Sequence, residues 1–219
     1  MRAMFSTVAP RYDFITRTFS YGMDRGWKRA CLAQAALPKA PVVLDLASGT
    51  GDFSLMVKQR YPGSRAVAVD ITERMLQLAR QRGVKHTVCG DAGRLPFPDH
   101  VFDCVFVGYG LRNFPKLEVA VQEIKRVTRP GGLLVTLDFF LPSNFVMRRL
   151  YLAYLYAQGA FWGTVLHGNP RVYTYIPDSL RTFVSIDDFS SLLRRIGYQK
   201  VDARRFLLGG IGLHWAEKG

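Results

Sequence analysis

The stretch Val42-Val-Leu-Asp-Leu-Ala-Ser-Gly-Thr-Gly-Asp52 decides the reading of this chain. Four of its first five residues are apolar, the one break being Asp45. A turn of small residues follows, Ala47 to Gly51, and Phe53, Leu55, Met56 and Val57 then open a segment with helical spacing. Strand, glycine loop and helix in that order form a ligand-binding shape. Gly49 and Gly51 carry no side chain and tolerate positive φ, so a ligand can approach backbone N–H groups closely. A dinucleotide fingerprint needs a third glycine, and position 54 is Ser54. No Lys-Ser/Thr pair follows, which excludes a P-loop.

Downstream, strands and helices alternate. Arg65–Asp70 is a short apolar strand ending in an acid, and Thr72 can cap a helix that buries Met75, Leu76 and Leu78. Lys85–Cys89 and Phe102–Gly108 read as the third and fourth strands, the fourth apolar enough to be buried on both faces. Pro115 suits the first turn of a helix to about Val127. Arg129-Pro-Gly-Gly132 reads as a turn and Leu133–Phe139 as a fifth strand. Ser185, with Asp188 three residues on, predicts a capped helix striped by Phe189, Leu192, Leu193 and Ile196. Gln199–Phe206 and Gly210–Glu217 read as closing strands paired through Leu207-Leu-Gly-Gly210. The alternation predicts an α/β fold, a parallel sheet with helices on both faces.

One domain over 1–219 is the simplest account. Its expected parts are an N-terminal helical lid (1–40), a cofactor-binding core (41–140), an aromatic substrate or lid insertion (141–180), and a closing helix and hairpin (181–219). The lid mixes six basic residues and two acids with Phe5, Val8, Tyr12, Phe14, Ile15, Phe19 and Tyr21 up to residue 30, with breaks expected at Pro10 and near Gly22. Residues 139–177 contain no acid and are rich in aromatic side chains, among them Phe145, Tyr151, Tyr154, Trp162 and Tyr175. From Leu150 to Ala157 nothing is charged, so this helix is sandwiched, walls an apolar substrate, or faces a membrane.

The chain has 219 residues, 48% of them hydrophobic and 21% charged, ordinary values for a globular fold. Thirty Lys and Arg against 17 acids give a net charge of +13. Simple solubility, nucleic acid or an anionic membrane surface would each account for that balance. Cys31, Cys89 and Cys104 are scattered, with no C-x-x-C pair, so neither disulfides nor a metal site is expected and a reducing cytoplasm fits. Met1-Arg-Ala-Met-Phe5 shows no secretory h-region, and no apolar run reaches spanning length.

The motif D-x-A-x-G-T-G-D resembles motif I of S-adenosylmethionine-dependent methyltransferases. In an open α/β sheet, ligands bind off the carboxyl ends of the strands. Asp45 and the loop Gly49-Thr50-Gly51 lie there, and the cationic sulfonium and amine of S-adenosylmethionine favour a nearby acid such as Asp45. Asp70, with Ile71 beside it, lies 19 residues past Gly51 and can accept from two ribose hydroxyls. Asp91 can accept from an adenine amino group, with Ala92 N–H facing the ring. Gly108 and Gly110 allow close approach to the sulfonium end. Arg112-Asn113 follows the fourth strand, where the methyl group is delivered. Arginine is a poor base and a good partner for a developing phenolate, though a structural ion pair would also explain it.

Over nearly its whole length the chain resembles the ubiquinone/menaquinone C-methyltransferases. The matching residues include Val8-Ala-Pro-Arg-Tyr-Asp13, Asp45-Leu-Ala-Ser-Gly-Thr-Gly-Asp52, Leu95-Pro-Phe-Pro98, Gly110-Leu-Arg-Asn113, Tyr173-x-Tyr175 and Gly210-Ile-Gly-Leu-His214. The resemblance implies a seven-stranded, mostly parallel, Rossmann-like methyltransferase sheet with a reversed last strand. It implies S-adenosylmethionine contacts at Thr50, Asp70, Asp91 and Ala92, with only a backbone contact at Gly108, where the family has serine. It also implies that Tyr12, Arg112 and Asn113 line a pocket for a polyprenylated quinol. The expected reaction is C-methylation of demethylmenaquinol, with His214 or an ordered water as proton acceptor. The prenyl tail predicts an apolar channel walled by the acid-free aromatic segment, and the basic N-terminal face predicts peripheral contact with an anionic inner leaflet. Departures at Ile15-Thr16, Asp24 and Thr182–Ile186 lie on the substrate side, so a benzoquinol, a lipid amine or a secondary metabolite stays open as substrate. Tail length and homo-oligomer formation stay open too. An RNA methyltransferase or RNA-binding protein fits poorly, because no N-P-P-Y-type motif or added RNA-binding module occurs.

Overall fold

The computed structural model describes residues 12–219, without the side chains of Tyr12, Asp13 and Ile15. The break expected at Pro10 lies outside the described residues. Two helices come first, α1 (Tyr12–Phe19) and α2 (Asp24–Gln34). They are separated at Tyr21 and Gly22, both at positive φ. Seven strands follow: β1 (Val42–Leu46), β2 (Arg65–Asp70), β3 (His86–Cys89), β4 (Phe102–Gly108), β5 (Thr128–Phe139), β6 (Tyr198–Phe206) and β7 (Ile211–Lys218). Between them run α3 (Asp52–Arg60), α4 (Glu73–Gln81), α5 (Leu117–Val127), α6 (Phe145–His167), α7 (Tyr175–Arg181) and α8 (Ile186–Arg195).

The strands form one sheet in the order β3-β2-β1-β4-β5-β7-β6. β1 pairs in parallel with β2 on one side and β4 on the other. The chain moves outward from β1 to β3 and then returns to β4, so the order reverses between β1 and β4, where such folds open a ligand crevice. β7 runs antiparallel to both β5 and β6. A tight connection through Leu207–Gly209 suffices there, because only parallel neighbours require a long crossover.

The period-2 alternation of β4 feeds two cores. Cys104 and Phe106 face one side, with Trp27, Leu32, Phe53 and Leu155. Val105 and Val107 face the other, with Val121, Ile124, Phe189 and Leu193. Both faces are covered, which explains the nearly continuous apolar run.

Three local readings change. Arg129–Gly132 is not a turn ahead of the strand: β5 begins at Thr128 and absorbs these residues as an irregularity in its pairing with β4. Gly132 permits this, because a Cβ there would lie 2.9 Å from the Arg129 carbonyl and 3.1 Å from that of Asp103. α5 starts two residues after Pro115, and Arg112-Asn113 ride on a separate 3-10 turn, Leu111–Asn113. Thr72 precedes α4 without a side-chain cap bond; its N–H donates to Asp70 Oδ1 instead. The cap at Ser185 holds as a reciprocal box with Asp188.

Candidate active site

A cavity opens at the carboxyl ends of β1, β2, β3 and β4. It contains about 870 Å³ of empty space, counting what is open to solvent. Leu46, Val69, Met75 and Phe114 give it apolar walls. Its polar groups are few and come from strand ends, where each strand stops and its last residue turns toward solvent.

Asp70 ends β2 and lines the cavity. Gly49 N–H donates to its Oδ2 at 2.9 Å, and Thr72 N–H to its Oδ1 at 2.8 Å. The carboxylate is thereby aimed, with acceptor capacity left on each oxygen for a diol. Burial pushes its pKa up, against the pull of these two N–H donors. Gly49, Ile71, Asp91 and Ala92 line the same cavity. Asp91 Oδ1 accepts from Gly93 N–H at 2.8 Å, which orients the turn after β3. A diol acceptor, a second acid and a flat apolar slot suit a nucleoside such as the adenosine of S-adenosylmethionine.

Backbone strain gathers at this cavity. Ala47 and Tyr109, neither of them glycine, sit at φ 53° and 60° at the ends of β1 and β4, a conformation costly for such residues and common at ligand sites. The two strand ends approach so closely that a Cβ on Gly110 would lie 2.5 Å from that of Ala47. Gly110 therefore lines the cavity for a steric reason.

Four expected contributors sit elsewhere. Asp45 does not line the cavity: its Oδ2 accepts from Ser54 N–H at 2.8 Å and from the Ser54 hydroxyl at 2.9 Å, inside the start of α3. Burial raises its pKa to about 7. Thr50 and Gly51 turn away from the cavity. Arg82 donates to the Thr50 hydroxyl at 2.5 Å, and a Cβ on Gly51 would strike Val84. Gly108 serves packing, because a Cβ there would lie 2.7 Å from the ring of Phe53.

His214 is corrected as well. It lies on β7, wholly buried, with Phe140 and Phe189 rings at 5.2 and 4.9 Å. Its Nε2 lies 3.1 Å from the Ile186 carbonyl, the geometry of a donated hydrogen bond from a neutral ring. Burial lowers its pKa to about 4. Packed against α8, it is a core histidine that meets no cavity residue.

Arg112 and Asn113 part at this point: only Asn113 lines the cavity, while Arg112 is buried beside it. Asn113 lines the cavity, and its Nδ2 donates to the Tyr109 carbonyl at 3.4 Å. Arg112 Nη1 donates to Asp138 Oδ1 at 2.5 Å and to the Tyr109 carbonyl at 3.0 Å. Tyr175 and Tyr151 stand close by: burial pushes each hydroxyl up, while the Arg112 charge pulls the other way. The side chain of Tyr12 lies outside the described residues. Asp138 escaped the sequence reading, although it lies one residue before the end of an apolar strand, as Asp45 does.

A second ionic group ties α2 to the glycine loop. Lys28 Nζ bonds Asp52 at 2.6 Å and Asp24 at 3.4 Å, and Arg82 bonds the other oxygen of Asp52 at 2.7 Å. Burial opposes ionisation of Asp52, yet Lys28 and Arg82 together hold it below the usual carboxylate range.

The model of the ubiE/COQ5 methyltransferase family matches residues 1–218. A demethylmenaquinone methyltransferase of Deinococcus radiodurans is 38% identical, over 98% of this chain and 90% of that protein. One from Thermus thermophilus is 40% identical over 89% of this chain and 91% of its own length. Among solved structures, an S-adenosylmethionine-dependent methyltransferase from Thermotoga maritima superposes with a TM-score of 0.70, at 20% identity over the full length of both chains, a likeness of fold.

Proposed function

The chain belongs to the ubiE/COQ5 methyltransferase family, and from that premise we propose that it methylates a ring carbon of demethylmenaquinol. It is an S-adenosylmethionine-dependent methyltransferase. The observation that carries the substrate reading is the buried Arg112–Asp138 pair, with Tyr151 and Tyr175 beside it and joined to the cavity through the Tyr109 carbonyl.

When bound, S-adenosylmethionine supplies an electrophilic methyl group on a sulfonium. Asp70 would hold the ribose diol, Asp91 and Ala92 would hold the adenine, and the backbone at Ala47, Gly49 and Gly110 would take the amino-acid end. Asp45 and Thr50 act from behind, keeping α3 and the loop in place. Arg112 receives the charge of the substrate oxygen as the quinol hydroxyl loses its proton, and Asp138 fixes the guanidinium. Asn113 and Tyr12 position the ring. The ring carbon beside that oxygen would accept the methyl group the cofactor supplies, and the ring would then release its hydrogen from that carbon as a proton to regain aromaticity. With His214 shut in the core, an ordered water beside Arg112 is the proton acceptor.

The prenyl tail runs along the inner face of α6, past Tyr151, Tyr154 and Leu155. Such a substrate resides in a bilayer, and the protein works from the cytoplasm, at the inner leaflet. Among the described residues no helix is long and apolar enough to cross a membrane. The test is mass analysis of quinones after deletion of the gene: the menaquinone pool loses one methylene unit. A pool unchanged in mass sinks the reading.

A further inference from the structure

The solvent face of α6 has the wrong chemistry for water. This helix has 23 residues and is about 34 Å long. Its outward positions recur at helical spacing as Val146, Leu150, Ala153, Ala157, Phe161 and Val165, all exposed. Phe145, at 66% exposure, extends the stripe at its first turn. An ordinary surface helix turns charged residues outward. Here the outward face is apolar except for Thr164, and the exposed Arg149, over the Phe145 ring at 5.6 Å, flanks it.

The turn between β6 and β7 adds to the same surface. Tyr151 donates to the Gly210 carbonyl at 2.9 Å, and a Cβ on Gly209 would meet Pro142 at 3.8 Å, so this turn lies beside the first turns of α6. At its tip Leu208 is 83% exposed. Leu207 and Leu208 are both left-handed, at φ 49° and 54°, where asparagine or glycine would sit with less strain. Folding alone gives no reason for two leucines there.

We infer that the outer stripe of α6 and the Leu207-Leu208 tip form a docking surface for an anionic lipid leaflet, with the apolar side chains entering the acyl boundary and Arg149 at the headgroups. The inference rests on the proposed quinol substrate for its purpose and on charge complementarity for its occupant. No acid occurs anywhere from residue 139 to residue 177, while Arg148, Arg149 and Arg171 do. An apolar face rimmed by arginine is the composition of an interfacial helix lying in the membrane plane. The inner face of the same helix carries Tyr151, Tyr154 and Leu155 toward the Arg112 site, so a tail passing from the leaflet needs to round only one helix.

The experiment uses the full chain and a triple variant, Val146→Glu, Leu150→Glu and Leu208→Asn. All three positions are exposed, and asparagine suits the left-handed position, so the thermal melt stays that of wild type. Sedimentation with phosphatidylcholine vesicles, with and without phosphatidylglycerol, reads binding. Wild type binds the anionic vesicles, and the triple variant binds them at least tenfold less. Methylation of a naphthoquinol without a prenyl tail, in solution, stays equal in the two proteins. Methylation of the long-tailed quinol embedded in vesicles falls in the variant alone. Equal vesicle binding by both proteins, or none by wild type, overturns the docking surface while leaving the proposed reaction intact. A lipid-free wild-type dimer that the triple substitution splits overturns it too, by assigning the stripe to a second copy. Failure to methylate any quinol strikes the proposed reaction instead, and the vesicle result still decides the surface.

Discussion

Arg112 and Asp138 form an ion pair at 2.5 Å with side chains 4% and 0% exposed, joining the turn after β4 to the end of β5. Asp138 Oδ1 also accepts from Phe139 N–H at 2.8 Å, and Arg112 lies over the Phe139 ring at 5.2 Å. Its other oxygen, Oδ2, is buried with no partner among the described residues. A pair so enclosed holds the guanidinium in one place.

The first prediction follows from that geometry. Arg112→Ala leaves a buried carboxylate uncompensated and costs about 3–5 kcal/mol of stability. Where the variant stays folded, kcat falls by about 10²–10³, as for loss of one preorganised charge donor. Arg112→Lys keeps the charge without the two-sided reach and falls nearly as far. Cofactor affinity, read by calorimetry, is unchanged in both. Wild-type turnover in Arg112→Ala would falsify the role.

Asp70 makes the complementary case. Asp70→Ala removes the acceptors for the ribose diol and unpairs Gly49 N–H and Thr72 N–H. Cofactor affinity drops by about tenfold to a hundredfold, or about 1.4–2.8 kcal/mol for hydrogen bonds to a charged group. Quinol KM at saturating cofactor stays put. A matching loss in quinol KM would show that the carboxylate serves the wrong ligand.

Two glycines separate packing from binding. Gly110→Ala drives a Cβ toward Ala47 at the cavity, whereas Gly108→Ala drives one into Phe53, which stacks on Phe106 at 4.9 Å. Gly110→Ala is expected to weaken cofactor binding more than it lowers the melting temperature, and Gly108→Ala the reverse. Overpacking costs about 1–3 kcal/mol. Melts and calorimetry on the two proteins read the contrast, and identical behaviour would refute it.

Asp45 and His214 pull the pH dependence of stability in opposite directions. The folded pKa of Asp45 is raised to about 7, so its contribution is full below about pH 4 and is lost as pH rises through 7. The folded pKa of His214 is lowered to about 4, so its contribution is full above about pH 6.5 and is lost as pH falls through 4. Denaturant melts of Asp45→Asn should lose the decline between pH 4 and 7, and those of His214→Gln the rise between 4 and 6.5. A variant whose pH profile parallels wild type would remove that group from the account.

The Lys28–Asp52 contact supplies a last test, because it reports how α2 meets the glycine loop. Lys28→Met leaves Asp52 paired with Arg82 and Asp24 with the Ser20 hydroxyl. The cost is about 3–5 kcal/mol if the buried pair is broken cleanly. Hydrogen exchange at Gly49–Ser54 should speed up, and unchanged exchange there would uncouple α2 from the loop.

Much of this protein follows from the sequence alone. The apolar run Val42–Leu46, the small-residue turn and the alternation after it determine a parallel sheet, because side-chain period and turn chemistry are local properties. Asp70, Asp91 and Ala92 could be placed at one crevice from chain order, since a parallel sheet puts successive strand ends on one edge. The family was legible for a related reason: its motifs lie at those same strand ends. Tertiary structure decided where equivalent-looking residues point. Asp45 and Asp70 both interrupt or end an apolar strand, yet one is turned into α3 by Ser54 and the other into the cavity by Gly49. Gly108 and Gly110 differ by two positions, and only the second lines the cavity. His214 looked free to act as a base until Phe140, Phe189 and the Ile186 carbonyl enclosed it. Asp138 gained meaning only from Arg112, 26 residues away in the chain and 2.5 Å away in space. Sequence sets which residues are available at a strand end. Packing between distant segments sets which way each one faces, and that depends on contacts no local pattern encodes.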